Sequence, residues 1–206
     1  MRSRIHADVA ELAALDKQAQ RDKLIETGYV MPHWPKPWGL AADAVEQLVI
    51  EEEFRAAGIK RTDYGITAWV ILTLVQHGTP WQIERFVEKA LRGDEIWCQL
   101  FSEPEAGSDA ASIRTKATRV DGGWKINGQK VWTSGAHYCA RGLATVRTDP
   151  EASKHGGITT VIVDMKAPEV EVRPLRQMTG DSDFNEVFFN DLFVPDEDVV
   201  GAPNTG

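Results

Sequence analysis

The sequence contains few cysteines and no residue spacing typical of a metal site. Cys98 and Cys139 are its only two cysteines, and neither belongs to a CxxC pair or lies beside a histidine pair. This pattern argues against a zinc site or a redox dithiol and favours two reduced thiols in a cytosolic protein. The five histidines are scattered, without HExxH or other ligand spacing. We therefore predict no metal site.

The sequence also lacks an excess of positive charge, a long apolar run and a signal peptide. The formal net charge of −8 argues against non-specific binding to nucleic acid or to an anionic membrane surface. The longest nearly apolar run, Ile66–Val75, is too short to span a bilayer. The amino terminus has no apolar h-region. These features predict no nucleic-acid partner, no membrane insertion and a cytoplasmic location.

Neither a βαβ alternation nor a GxGxxG motif is found in the sequence, so a Rossmann fold is disfavoured. Helical periodicity instead dominates residues 1–93, whereas Thr, Val, Ile and closely spaced turn signals dominate after Asp94. The predicted class is α+β, with an all-helical segment followed by an antiparallel, β-barrel-like domain. The predicted domains are residues 1–93 and 94–206.

Apolar spacing and turn residues predict four helices. The first has an apolar stripe formed by Ile5, Val9, Leu12 and Leu15. Three prolines in Met31–Gly39 exclude a helix there. The next predicted helices are Ala41–Ala57, which ends at Gly58, and Ile66–Gln76, which is apolar nearly all round and is therefore predicted to be buried. Thr79, Pro80 and Gln82 predict a capping box for the fourth, and Gly93 ends it.

Seven segments are predicted as strands, because β-branched and aromatic residues in them alternate with turn signals. Asp121-Gly122-Gly123 and Asn127-Gly128 are both read as turns that separate strands. The predicted strands are Thr115–Val120, Trp124–Ile126, Lys130–Thr133, Leu143–Arg147, Ile158–Asp164, Val170–Arg173 and Glu186–Phe189.

Two segments carry residues suited to a large planar cofactor with phosphates. The first reads Q-L-F-S-E-P-E-A-G-S-D over Gln99–Asp109, and the second reads N-G-Q-K-V-W-T-S-G over Asn127–Gly135. They supply hydroxyls, a flat aromatic face at Trp132 and, at Gly107, room for a ligand to approach the backbone. The first segment alone fits an ordinary loop equally well. The second, about twenty-five residues later, shifts the balance towards a cofactor site.

Both segments closely resemble the flavin-binding strands of the acyl-CoA dehydrogenase family, and the resemblance extends over residues 30–206. It implies FAD as cofactor and an acyl-CoA as substrate. It also implies that Ser102 contacts the pyrimidine side of the flavin and that Ser108 lies by the pyrophosphate and the acyl-CoA channel. Trp132 would pack on the flavin, Ser134 would bond N5, and Thr133 would contribute its backbone. The implied cofactor-binding residues are Leu100, Phe101, Ser102, Gly107, Ser108, Trp132, Thr133 and Ser134, with Ser108 also binding substrate.

The resemblance assigns no catalytic residue within this sequence. In the family, the base is a glutamate on a helix of a C-terminal bundle, and no position here corresponds to it. Among the nearby carboxylates, Glu103 and Asp109 are expected to fix the loop and Glu105 to face solvent. The family also implies electron-transfer flavoprotein as electron acceptor, and assembly into homo- or hetero-oligomers.

Two functional hypotheses follow. The first is an acyl-CoA dehydrogenase whose flavin and substrate half-site lies here, the remainder being lost or supplied separately, because V-G-A-P-N-T-G at the end resembles a linker to the missing bundle. The second is a non-catalytic, flavoprotein-like subunit or fragment that binds a partner without turnover. In both, this chain alone is expected to be inactive. The identity and length of the acyl group stay open.

Overall fold

The computed structural model describes residues 1–206, which divide into two compact units, Met1–Tyr64 and Gly65–Gly206. The first unit contains helices α1 (Arg2–Ala13), α2 (Lys17–Glu26) and α3 (Ala44–Ala57). The second contains α4 (Ile66–His77), α5 (Pro80–Arg92) and an eight-stranded sheet. Helices followed by a sheet confirm the predicted α+β class. No helix combines the length and the apolar composition needed to cross a bilayer.

In the first unit, side-chain caps decide where the helices begin. α1 buries Ile5, Val9 and Leu12 as predicted, but Leu15 lies beyond the end of the helix and is exposed. α2, which was not predicted, begins where the Asp16 carboxylate accepts hydrogen bonds from two backbone amides. The prediction that α3 starts at Ala41 was wrong by three residues, because Asp43 caps it by accepting from the Glu46 amide at 2.8 Å.

In the second unit, α5 has the predicted capping box. Thr79 accepts from the Gln82 amide, the Gln82 side chain accepts from the Thr79 amide, and Gly93 ends the helix with φ of 79°. The prediction that α4 is buried all round was wrong, because Trp69 is 68% exposed. α4 packs through one face, formed by Thr67, Val70, Ile71 and Leu74.

The sheet contains more strands than predicted. They are β1 (Trp97–Leu100), β2 (Lys116–Val120), β3 (Gly123–Ser134), β4 (Arg141–Arg147), β5 (Ile158–Asp164), β6 (Val170–Leu175), β7 (Phe184–Pro195) and β8 (Val199–Val200). The order is β6-β7-β3-β2-β4-β5-β8, and β1 pairs with β4 off this path. β1 and β8 were not among the predicted strands.

The sheet is mixed and open, whereas an antiparallel one had been predicted. β1 runs parallel to β4, and β2 meets β4 in parallel through Lys116 and Arg147. The remaining pairings are antiparallel. No crossover helix lies within residues 99–195, so this is not a doubly wound sheet.

Asn127-Gly128 does not separate two strands, contrary to the prediction. The two residues lie inside the continuous strand β3, where the pairing with β7 shifts between Ile126 and Gly128. The Asn127 side chain donates to the Asp191 carboxylate at 2.9 Å and accepts from the Asp191 amide at 3.0 Å. The dipeptide therefore forms a β-bulge, held across the strands by its own side chain.

Helices α4 and α5 are bonded directly to the sheet. The Thr67 hydroxyl accepts from the Trp97 amide at 3.1 Å and donates to the Trp97 carbonyl at 3.2 Å. The Gln82 side chain donates to the carbonyls of Glu197 and Val199. These bonds explain why the second compact unit begins at Gly65. The division into domains 1–93 and 94–206 stays a prediction.

Candidate flavin site

The end of β1 and the middle of β3 meet at a hydrogen-bonded junction. The Val131 amide donates to the Ser102 carbonyl at 2.9 Å. Phe101 and Ser102 are half-buried there. Leu100 differs, because its side chain is fully buried in the sheet core and lies over Gly142 of β4. Any contact of Leu100 with a ligand would therefore involve its main chain.

A buried lysine lies at the centre of this junction. Lys130 is 0% exposed, and its ammonium donates to the Phe101 carbonyl at 3.1 Å, the Thr145 carbonyl at 2.7 Å and the Glu103 carboxylate at 2.7 Å. All three donors of the ammonium are thus satisfied. Burial lowers the pKa of Lys130 to about 8, although the charge of Glu103 acts in the opposite direction.

Glu103 extends this network to the next loop. Its carboxylate also accepts from the amides of Arg114 and Thr115, at 2.6 and 3.0 Å. Burial by itself would raise the pKa of Glu103, but the charge of Lys130 and these hydrogen bonds outweigh it, and the net pKa lies below its ordinary value. Glu103 is therefore an ionised residue of the loop, in the fixing role that the resemblance implies.

Trp132 has a strained backbone and an exposed ring. Its φ is 59°, in the left-handed region that bulky residues rarely adopt, and its side chain is 62% exposed. The pairing of β3 with β7 shifts between Lys130 and Thr133, which places Trp132 in a bulge. The ring makes an edge contact with Phe184, at 6.2 Å between ring centroids. An exposed aromatic face held in a strained conformation is typical of a ligand site.

The turn after Trp132 is held by the start of β7. The Asn185 side chain, which is fully buried, donates to the Thr133 carbonyl at 2.9 Å and contacts His137 Nδ1 at 3.2 Å. The Gly135 amide donates to the Asp183 carbonyl at 2.9 Å. Ser134, between these anchors, is half-buried. Its position is therefore fixed by main-chain bonds on both sides.

The Thr133 hydroxyl is buried without a hydrogen-bond partner. We expect Thr133→Val, which keeps the shape and removes the hydroxyl, to raise the free energy of unfolding by about 1 kcal/mol. The matched control is Thr159→Val, because the Thr159 hydroxyl is also buried but bonds Thr148 and the Asn204 amide. Urea unfolding should show stabilisation for the first variant and destabilisation for the second. Equal losses would mean that the Thr133 hydroxyl has a partner in solution.

Gly107 and Ser108 lie in an exposed loop outside the junction. A Cβ placed on Gly107 would meet nothing within 4 Å, so the backbone there is open to a ligand. The neighbouring carboxylates are engaged: Asp109 bonds Ser112 and Lys154, and Glu105 pairs with Arg114 at 2.5 Å.

Three residues of the site had not been predicted. Lys130 and Asn185 organise the junction and the turn, and Arg147 donates to the carbonyls of Ala111 and Gly156, at 2.6 Å each, in two neighbouring loops. β3 contains other polar residues, among them Lys125 and Gln129, so no local pattern distinguished Lys130 from them. Its partners lie fifteen to twenty-nine positions away in the sequence, beyond the reach of local patterns.

Comparison with known protein families gives two matches that together span nearly the whole chain. Residues 2–94 match the acyl-CoA dehydrogenase N-terminal domain, and residues 98–192 match the acyl-CoA dehydrogenase middle domain. Acyl-CoA dehydrogenase FadE34 of Mycobacterium tuberculosis is 56% identical over 206 residues, which are 100% of this chain and 29% of that protein. Acyl-CoA dehydrogenase IpdE1 of Mycolicibacterium smegmatis is 37% identical over 203 residues, covering 93% of this chain and 52% of that protein.

Solved structures of the same kind share the fold. The Tcur3481-Tcur3483 steroid ACAD superimposes with a TM-score of 0.75 at 28% identity, covering 100% of this chain and 57% of that one. The ChsE4-ChsE5 complex from Mycobacterium tuberculosis gives a TM-score of 0.72 at 29% identity, covering 100% and 56%. The chain thus spans between about a third and about a half of the length of these relatives.

Proposed function

Because the chain belongs to the acyl-CoA dehydrogenase family, we propose that its second unit holds one side of an FAD site used in the α,β-dehydrogenation of an acyl-CoA thioester. FAD, when bound, supplies the acceptor for the hydrogen that leaves the β-carbon as hydride. The observation that carries the proposal is Trp132, exposed and strained, beside the Ser102–Val131 junction.

The residues present fit such a cofactor. Trp132 offers a flat apolar face, while Ser102 and Ser134 are hydroxyl-bearing and lie at the junction and in the adjacent turn. We assign Ser134 the donor role towards flavin N5, where a hydrogen bond stabilises the charge that builds on the ring. Phe101, Gly107, Ser108 and the main chains of Leu100 and Thr133 complete the proposed contacts, with Ser108 also facing the acyl-CoA.

The substrate and the partners follow from the relatives. Solved neighbours named as a steroid ACAD support an acyl-CoA with a bulky polycyclic acyl group as the first thioester to test. The ChsE4-ChsE5 complex supports assembly with a second subunit. Family membership supports electron-transfer flavoprotein as the electron acceptor, whereas the cytoplasmic location stays a prediction. A non-catalytic, flavin-binding subunit is the alternative, favoured by the engagement of every carboxylate of the Glu103–Asp109 loop.

FAD binding tests the proposal. Titration of the purified chain with FAD, followed by flavin fluorescence, should show saturable binding. Trp132→Ala should raise the dissociation constant about 10-fold or more, because stacking on an aromatic ring contributes about 1–3 kcal/mol. Trp69→Ala is the matched control, since Trp69 is equally exposed but lies on α4. Equal affinities for the Trp132→Ala variant and the unmodified chain would contradict the assignment of the flavin face.

A further inference from the structure

Lys130 connects its own strand β3 to β4 and to the Phe101–Glu103 segment through one buried charge. Its ammonium contacts the Phe101 carbonyl after β1, the Thr145 carbonyl within β4 and the Glu103 carboxylate. Through Glu103 the connection continues to the amides of Arg114 and Thr115. No other lysine of the chain is buried.

A charge in this position is costly for folding alone. Removing an ammonium and a carboxylate from water costs several kcal/mol each, and well-packed apolar residues of similar size often stabilise a fold equally well. The sheet core around the pair is already apolar, with Leu100, Ala144 and Val146 fully buried. An apolar side chain at this position could not donate a hydrogen bond to the Phe101 carbonyl.

The position of Lys130 in β3 indicates what this hydrogen bond does. Lys130 pairs with Val187 of β7 and is the last residue before the register shift that contains Trp132. The adjacent Val131 amide bonds the Ser102 carbonyl. The Lys130 side chain therefore fixes the loop that contains Ser102 against the part of β3 from which Trp132 projects.

We propose that Lys130 is a positioning residue of the flavin site, which holds the Phe101–Glu103 segment against β3 so that Ser102 and Trp132 contact the same flavin. This inference rests on the proposed function. Lys130 itself touches neither cofactor nor substrate. It acts through the Phe101 carbonyl and through Glu103.

The test compares three variants of the 206-residue chain. Lys130→Met removes the ammonium and leaves the Glu103 carboxylate buried, so the double variant Lys130→Met, Glu103→Gln removes both charges. Lys125→Met is the matched control, because Lys125 lies on the same strand but is exposed. Amide hydrogen exchange is followed over residues 101–106, 131–134 and, as a reference, β5. The FAD dissociation constant is measured in parallel.

We expect the double variant to keep the protection of β5 against amide exchange. Its melting temperature should be higher than that of the single variant Lys130→Met. Residues 101–106 and 131–134 should exchange at least about 10-fold faster, and FAD should bind at least about 10-fold more weakly, which corresponds to about 1.4 kcal/mol. Lys125→Met should match the unmodified chain in both measurements.

Four results would overturn the inference. Unchanged exchange over 101–106 and 131–134 in the double variant would show that Lys130 does not position the loop, whether or not FAD binds. Faster exchange with unchanged FAD affinity would show that the positioned loop is not used by the flavin. Loss of protection in β5 as well would make Lys130 a residue of the whole fold. If the unmodified chain binds no FAD while exchange still changes, the proposed function itself fails, and with it the flavin role.

Discussion

The purified 206-residue chain is expected to turn over acyl-CoA at a rate lower than that of a complete acyl-CoA dehydrogenase by a factor of about 10² to 10⁴ or more, the usual effect of losing a general base. No carboxylate of the Glu103–Asp109 loop is available for proton abstraction. Glu103 is ionised against the Lys130 ammonium and two backbone amides, Glu105 pairs with Arg114, and Asp109 bonds Ser112 and Lys154.

The measurement is an acyl-CoA assay with an artificial electron acceptor, on protein whose mass is verified and to which FAD has been added. A full-length relative serves as the positive control. Turnover comparable with that control would mean that a residue within these 206 acts as the base. Glu103→Gln and Glu105→Gln would then be the first variants to assay. Loss of turnover in Glu105→Gln, or in Glu103→Gln with unchanged FAD affinity, would identify the base.

Gly123→Ala is expected to lower the free energy of unfolding by about 3 kcal/mol or more, the upper range for overpacking. A Cβ at Gly123 would lie 2.3 Å from the Val194 carbonyl oxygen of β7 and 2.9 Å from the Phe193 ring. Main-chain atoms cannot move aside as the end of a side chain can. The pairing of Gly123 with Pro195, where β3 and β7 first meet, would therefore be disrupted.

The adjacent Gly122 is the matched control for this substitution. Gly122 has φ of 74°, but a Cβ there would meet nothing within 4 Å. Gly122→Ala should cost about 1–2 kcal/mol, the strain of a non-glycine residue in the left-handed region. Urea unfolding curves of the two variants separate the cost of steric overlap at Gly123 from the cost of backbone strain at Gly122. Equal losses would mean that the β3–β7 strands separate enough to admit the methyl group.

Local sequence patterns predicted those elements whose signals lie within a few neighbouring residues. The Thr79–Gln82 capping box, the Gly58 and Gly93 helix ends and the Ile158–Asp164 strand are confirmed. The family was also predicted from local sequence and is confirmed, because its two motifs lie within Gln99–Gly135 and are specific. The roles of Ser102, Ser108 and Ser134 towards FAD stay predictions.

Sequence patterns gave wrong predictions where the structure of a segment depends on residues far away in the chain. Asn127-Gly128 has the sequence of a hairpin turn, but pairing with Asp191 of β7 converts it into a bulge. Ile66–His77 has the composition of a buried helix, yet only one face of α4 packs, and Trp69 is exposed. The burial of a side chain depends on what packs against it, and that partner is absent from the local sequence.

The sequence by itself thus determined the class of the fold, the family and the two segments of the candidate site, because each depends on short motifs and local periodicity. The tertiary structure alone decided the parallel pairing of β1 with β4, the strained conformation of Trp132 and the burial of Lys130 against Glu103 and the Phe101 carbonyl. These features arise from contacts between residues far apart in the chain. Such contacts form only when the complete sheet brings their partners together.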